Sequence, residues 1–304
     1  MIITCKICNS SENHPTYTGQ EIRLGFGDTF TYFRCNHCGC LQIEKIPQNI
    51  QKYYENYHSL KNDKNKKEYL IKSILRKYLF KYRLNNKSFF GKILEKYSNE
   101  AFEWIEPNIF NFNSSILDVG AGYGRLLQKM ARSGFSNLHG IDPFLENDLK
   151  YRIGKKILRI EKKEIYEVNC RYDVIMLHHV LEHMPDQNAV FEHLIKLMHT
   201  QSKLIILIPI MSEYIWRHFG MHGFQLADIP RHYYIHTYRS LSMLAEKYGL
   251  QLLCSKYFGN REILVSTMGE EVQELNKCSE DIVSSLIEKK DSGLACFYFI
   301  KANT

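Results

Sequence analysis

The sequence predicts an α/β protein, a mostly parallel sheet with helices on its faces, preceded by a small β-rich metal-binding module and a helical linker. Three observations carry this. From Ser114 onward short apolar runs alternate with stretches of helical period, and two C-x-x-C hooks stand near the start at Cys5/Cys8 and Cys35/Cys38. One strand-like run also ends directly in the glycine turn Gly120-Ala121-Gly122-Tyr123-Gly124. The boundaries that follow are a module at 1–45, a tyrosine-rich strap with a helical linker at 46–112, and the α/β domain at 113–304.

Taken in order, residues 1–45 combine the hooks with β-prone Thr29-Phe30-Thr31-Tyr32-Phe33. From Gln48 the composition shifts to Lys, Asn and Tyr, and apolar positions recur at helical spacing from Leu70 to Leu79 and again from Ile93 to Ile105. Strands are expected at Ser115–Val119, Leu138–Ile141, Asp173–Leu177 and Leu204–Pro209, with helices at Arg125–Ser133 and Ala189–Met198. A helix from Tyr238 to Tyr248 should stop at Gly249, followed by a strand at Leu250–Phe258, a helix at about Val272–Lys289 and a last strand at Ala295–Lys301.

Composition narrows the function classes. With 44% hydrophobic and 24% charged residues the chain is neither disordered nor fibrous. Its longest strongly apolar run, Leu204 to Met211, is far short of the roughly 18 residues that a membrane helix needs, and no signal-peptide core is visible. A cytoplasmic location without a membrane span is expected. In that compartment nine cysteines point to metal binding or burial rather than to disulfides.

Each C-x-x-C hook can place two thiolates on one tetrahedral ion, so Cys5, Cys8, Cys35 and Cys38 together form a closed site suited to structural Zn2+. His37 and Cys40 are bystanders on this reading. The net charge of +7 raises the question of nucleic acid, but within the module Lys6, Arg23, Arg34 and Lys45 are balanced by Glu12, Glu21, Asp28 and Glu44. That balance argues against a phosphate-binding face.

The glycine turn reads G-x-G-x-G, with Arg125 where a dinucleotide fingerprint needs its last glycine and without the G-K-[ST] ending of a phosphate loop. Gly140-Ile141-Asp142 then supplies an acid at the end of the next strand. With Tyr172-Asp173-Val174-Ile175 and Leu181-Glu182-His183, these motifs resemble the class I S-adenosylmethionine-dependent methyltransferases over about 114–259. The resemblance implies a Rossmann-like domain with a mostly parallel seven-stranded sheet. It also implies that Asp118 and the Gly120, Ala121, Gly122, Tyr123 loop hold the methionine end of S-adenosyl-L-methionine, and that Asp142 holds its ribose. Pro143 and His178 would line the same site, and Glu161 would border the adenine.

The hooks, the strap Tyr53-Tyr54-Glu55-Asn56-Tyr57 and the segment Asp228-Ile229-Pro230-Arg231-His232 extend the likeness to bacterial sugar and surface-glycan methyltransferases. Related sugar C-methyltransferases carry Glu-His before a similar aromatic run; here Arg231 replaces the glutamate. The likeness implies a sugar or sugar-nucleotide acceptor, a strap (Tyr53, Tyr54, Tyr57) over the cofactor cleft, and acceptor contacts from Arg231 and His236. It makes His232 the first choice of general base, with His179 second and His183 beside them. His179, Glu182 and His183 stand at i, i+3, i+4 and could instead hold a second metal. Two further readings are an RNA-modifying methyltransferase that grips RNA through the zinc module, and a non-catalytic cofactor-binding subunit of glycan assembly.

Overall fold

The computed structural model describes residues 2–54, 70–85, 88–96, 102–154, 156–221, 228–259 and 280–302. The N-terminal module consists of β1 (Ile3–Thr4) paired with β2 (Ser11–Glu12), and of β3 (Thr16–Gln20), β4 (Thr29–Arg34) and β5 (Leu41–Ile43) in an antiparallel meander. The linker contributes α1 (Leu70–Asn85) and α2 (Phe89–Glu95). Tyr57 and the first half of the predicted 272–289 helix lie outside the described residues.

The α/β domain runs β6 (Ser115–Val119), α3 (Arg125–Arg132), β7 (Asn137–Ile141), β8 (Leu149–Ile153), β9 (Lys156–Glu161), β10 (Tyr172–His178), α4 (Gln187–Leu197) and β11 (Met198–Pro209). It continues with α5 (Glu213–Phe219), β12 (Tyr234–Ile235), α6 (Tyr238–Lys247), β13 (Leu250–Phe258), α7 (Glu280–Glu288) and β14 (Leu294–Lys301). The large sheet has the order β13-β14-β11-β10-β6-β7-β9-β8. Strands β11, β10, β6, β7 and β9 are parallel, while β14 runs antiparallel between β11 and β13.

The described residues thus give eight strands, one more than the expected seven. The extra one, β8, is an edge strand that turns back at Gly154 (φ 62°) to pair antiparallel with β9. Its Leu149, Tyr151 and Ile153 alternate with exposed Lys150 and Arg152, a period of two in a stretch to which the sequence reading assigns no element.

Burial on both faces explains the apolar runs. Leu117, Ile175, Leu177, Leu204, Ile206 and Phe297 point to one side, where Val190, Phe191 and Leu194 of α4 and Leu241 and Leu244 of α6 cover them. Ile116, Val174, Met176, Ile205 and Tyr298 point to the other, against Leu127 and Met130 of α3, Phe80 and Leu84 of α1, and Trp104. Each such fully buried side chain contributes about 1.5–3 kcal/mol relative to exposure. Helix starts follow local chemistry: Asp186 accepts from Ala189 N at 3.0 Å to cap α4, and Thr237 accepts from Ser240 N at 3.0 Å to cap α6.

The module does not stand apart. Strand β12, from the α/β domain, pairs antiparallel with β5, so the small sheet reads β12-β5-β4-β3 and joins the two parts of the chain. Thr237 Oγ1 donates to the carbonyl of Cys38 at 2.7 Å, and the Tyr32 hydroxyl donates to the carbonyl of His232 at 3.0 Å. Tyr32→Phe leaves that buried carbonyl without its donor and should lower stability by about 1–2 kcal/mol. Urea unfolding checks this; an unchanged midpoint would contradict the role given to the bond.

Candidate active site

At the carboxyl edge of β6 the chain turns through Gly120 (φ 71°), Gly122 (φ 53°) and Gly124 (φ 69°). A Cβ on Gly120 would come within 2.3 Å of Val180 Cγ2, so glycine is required both by backbone angle and by close approach to the turn after β10. At Gly122 an added Cβ would meet nothing within 4 Å, so the backbone there is open to the approach of a ligand. Asp142, at the end of β7, braces the loop: its Oδ2 accepts from Gly122 N at 2.9 Å and its Oδ1 from Phe144 N at 2.9 Å. Each oxygen keeps a lone pair for a ligand hydroxyl. Burial raises the Asp142 carboxyl, although these two N–H bonds oppose the shift. Asp118 is only 3% exposed, and burial with Asp142 nearby raises it to about 7. Two carboxyls withdrawn from water beside an open glycine floor suit a ligand that brings positive charge.

Beyond Gly120 the turn Leu181–His183 places a second cluster. Glu182 is fully buried, His232 Nε2 lies 4.0 Å from its Oε1, and His179 Nδ1 lies 3.7 Å from the same oxygen. The rings of His183 and His232 meet edge to face at 4.6 Å. Burial, reinforced by the neighbouring His183, His179 and Arg231, holds the His232 imidazole well below its usual range, so it is neutral. His179 takes a left-handed backbone (φ 55°) and is half-exposed; burial lowers it, but the Glu182 carboxylate outweighs this and raises it.

The strap reaches both clusters. Tyr54 stacks on Phe144 at 5.3 Å and 13°, edges His183 at 6.5 Å, and lies under the Arg231 guanidinium at 5.7 Å.

A family model described as "Methyltransferase domain" matches residues 75–255. The chain belongs to that methyltransferase family. Its sheet is the class I arrangement, with β14 as the antiparallel strand inserted next to β11. Among curated proteins, EEF1A lysine methyltransferase 2 of Danio rerio is 44% identical over 48 residues, which is 16% of this chain and 21% of that protein. The match therefore spans about a fifth of that relative's length. Among solved structures, the mitomycin 7-O-methyltransferase MmcR aligns with a TM-score of 0.43 and 14% identity, over 64% of this chain and about half (51%) of that one. The cyclopropane synthase MmaA2 from Mycobacterium tuberculosis aligns with a TM-score of 0.43 and 15% identity, over 62% of this chain and 78% of that one.

Within the methyltransferase several expected contacts are placed differently. His236, expected at the acceptor, is fully buried and has both ring nitrogens engaged, Nδ1 with Ser240 Oγ at 3.0 Å and Nε2 with Gln187 Oε1 at 2.8 Å. Burial holds it at about 3, so it is a neutral internal strut. Arg231, also expected there, is 1% exposed and donates to Asp228 Oδ1 at 2.7 Å. Tyr53 is buried and donates to Asp28 Oδ2 at 2.6 Å. The Glu161 carboxylate is bound to His139 Nε2 at 2.6 Å and Lys163 Nζ at 3.2 Å. His178 packs its ring on Trp104 at 4.7 Å, and burial lowers it to about 3. Pro143 is exposed next to Asp142, and Tyr123 is half-buried.

Phe144 and the pairing of Glu182 with His232 were not visible in the sequence. The aromatic residue next to Asp142-Pro143 was the only signal for the first, and the second needs residues fifty positions apart.

In the thiol cluster Cys5 and Cys38 sulfurs are 3.6 Å apart, Cys8 and Cys35 sulfurs 3.5 Å, and all four lie within 4.8 Å of one another. A tetrahedral ion with bonds of about 2.3 Å spaces its sulfurs by roughly 3.8 Å, so the donor set fits one. Gln42 Nε2 donates to Cys5 Sγ at 2.9 Å, and Cys38 N donates to Cys35 Sγ at 3.4 Å.

The Asp118 shift has a definite sign. Its folded-state value is raised to about 7, whereas an unfolded aspartate releases its proton near about 3.9. The folded form holds the extra proton in between, so this group's contribution falls as pH rises from about 4 to about 7. Relative to Asp118→Asn, the ligand-free wild type should lose on the order of 2–4 kcal/mol over that window. Parallel pH profiles of unfolding free energy for the two proteins would contradict the shift.

Proposed function

We propose that this protein transfers the methyl group of S-adenosylmethionine to a hydroxyl of a sugar or sugar nucleotide in glycan biosynthesis. The observation that carries the reading is the imidazole–carboxylate cluster of Glu182, His183, His232 and His179 beside the cofactor cleft. A hydroxyl is a poor nucleophile until its proton leaves, and such a cluster is the chemistry that removes it.

The cofactor fits the residues present. The Gly120–Gly124 floor admits it closely, Asp118 and Asp142 answer its positive charge, and the free lone pairs of Asp142 accept ribose hydroxyls. When bound it would supply a sulfonium methyl, and in-line attack by the acceptor oxygen would form the O–CH3 bond as the S–CH3 bond breaks, its electron pair leaving with sulfur as S-adenosylhomocysteine. His232 and His179 are the imidazoles placed to receive the hydroxyl proton. His232 is neutral and held at its backbone by Tyr32, while His179 opens to solvent, to which it can release a proton. Tyr54 and Phe144 offer the flat apolar surface on which a sugar ring stacks. Arg231 plays no part in acceptor binding on this reading, since it serves Asp228.

The four cysteines hold one structural zinc ion. Its module faces inward: Cys38 carbonyl is bound to the cap of α6 and β5 to β12, and the balanced charge of residues 1–45 offers no phosphate-binding face. Both points weigh against an RNA clamp.

Incubation with S-adenosylmethionine and a panel of nucleotide sugars tests the proposal. The expected result is S-adenosylhomocysteine with one acceptor gaining a single methyl by mass spectrometry; methylation confined to RNA or protein, or none at all, would overturn it. His232→Ala should lower kcat by about 100-fold or more while cofactor affinity by calorimetry stays within a few-fold. Full turnover in that variant would remove His232 from the chemistry.

A further inference from the structure

Glu182 is fully buried, and neither of its carboxylate oxygens accepts a hydrogen bond. Two imidazole nitrogens stand off it, His179 Nδ1 at 3.7 Å and His232 Nε2 at 4.0 Å; an ionised carboxylate withdrawn from water without a hydrogen bond costs several kcal/mol, so the site is built for something that brings positive charge. Its neighbours are arranged to help. His183 Nδ1 lies 2.9 Å from the carbonyl of Arg231, which can only accept, so that nitrogen carries the proton and Nε2 keeps its lone pair. A backbone carbonyl behind an imidazole is the usual way a protein fixes a metal-binding tautomer. His232 is also buried, with Nδ1 unpartnered and Nε2 turned to Glu182. One ligand atom from each of Glu182, His183 and His232 falls within 4.8 Å of the other two. The third member is thus His232 rather than His179: His179 Nδ1 lies 3.7 Å from Glu182 Oε1, but His179 does not share the mutual 4.8 Å approach of the other three.

We propose that Glu182, His183 and His232 bind one divalent cation, distinct from the ion of the cysteine cluster, and that the acceptor hydroxyl completes its coordination. Two imidazoles and a carboxylate are a donor set for zinc, manganese or ferrous iron rather than for magnesium or calcium. Bonds of about 2.1 Å would draw the three ligand atoms to roughly 3.5 Å of one another, an adjustment within the reach of side-chain torsions. Arg231 and Arg23 share the carboxylate of Asp228, which offsets one of their two positive charges, and the Glu182 carboxylate is the anion that faces the ion. Three protein ligands leave an open position, and an oxygen bound there is more readily deprotonated. The proposal deepens the functional reading above: with His232 on the ion the hydroxyl proton passes to His179, and only the nature of the bound hydroxyl depends on that reading.

The test uses no acceptor, so its failure is distinct from a wrong acceptor. Wild type and Glu182→Gln are titrated with Mn2+, with free Mn2+ read by electron paramagnetic resonance, and are separately dialysed against Zn2+ and analysed for metal by mass spectrometry. Both proteins keep all their cysteines, so any difference reports this cluster alone. Calorimetry with S-adenosylmethionine confirms that the variant is folded. Wild type should hold one more ion per chain than Glu182→Gln, or bind Mn2+ at least tenfold more tightly, and His183→Ala should behave as Glu182→Gln does. Equal Mn2+ affinity together with equal zinc content in wild type and Glu182→Gln would overturn the proposal.

Discussion

The pairing of β12 with β5 decides how the active site is assembled. Tyr234 lies opposite Gln42 and Ile235 opposite Leu41, and one residue before this ladder begins Ile43 N donates to Tyr233 O at 2.9 Å. His232 is thereby held from the module side, through Tyr32, and from the domain side, through Tyr233 N to the carbonyl of Glu182 at 2.8 Å. A histidine on a long connection between α5 and α6 would otherwise be free to sample many positions. Here a cysteine-bound hairpin of about forty residues acts as a buttress for a residue nearly two hundred positions away. Small modules rarely have enough core for independent stability, which is the physical reason for the metal proposed at its centre.

Charge is distributed to match. The glycine floor is lined by Asp118 and Asp142 and carries no compensating cation of its own among the described hydrogen-bond partners, so a positively charged ligand gains on entering. The second cluster sets Glu182 against the imidazoles of His179 and His232, and the arginines close by, Arg231 and Arg23, share the carboxylate of Asp228. Val180 connects the two, packing against Gly120 on one side of the turn whose other side carries Glu182 and His183. On the proposed reading, a single short turn after β10 sets the methyl donor beside the acceptor.

Much of this could be read from residue pattern. The runs 115–119 and 173–177 coincide with β6 and the interior of β10, because strands buried on both faces show as unbroken apolar segments, while 250–258 coincides with the edge strand β13, marked by the helix stop at Gly249 before it. The glycine loop and the acid of Gly140-Ile141-Asp142 were visible because close backbone approach tolerates few residue types. Strand β8 escaped because it is an edge strand of alternating pattern, with a lysine and an arginine inside it. Tertiary partnership escaped as well. Nothing local marks His236 as a strut to Gln187 and Ser240, Arg231 as a partner of Asp228, or His232 rather than His179 as the companion of Glu182 and His183. Such residues look alike in sequence whether they face a ligand or a buried carboxylate, and only the fold separates the two.

The claim that the cysteine module holds the catalytic loop in place is tested most directly by hydrogen exchange on wild type and Cys35→Ser. The account predicts that amides of residues 228–236 lose protection in the variant, together with the module's own strands, while those of β6, β7 and the glycine loop keep theirs. Unchanged protection across 228–236 despite loss of the bound metal would contradict it.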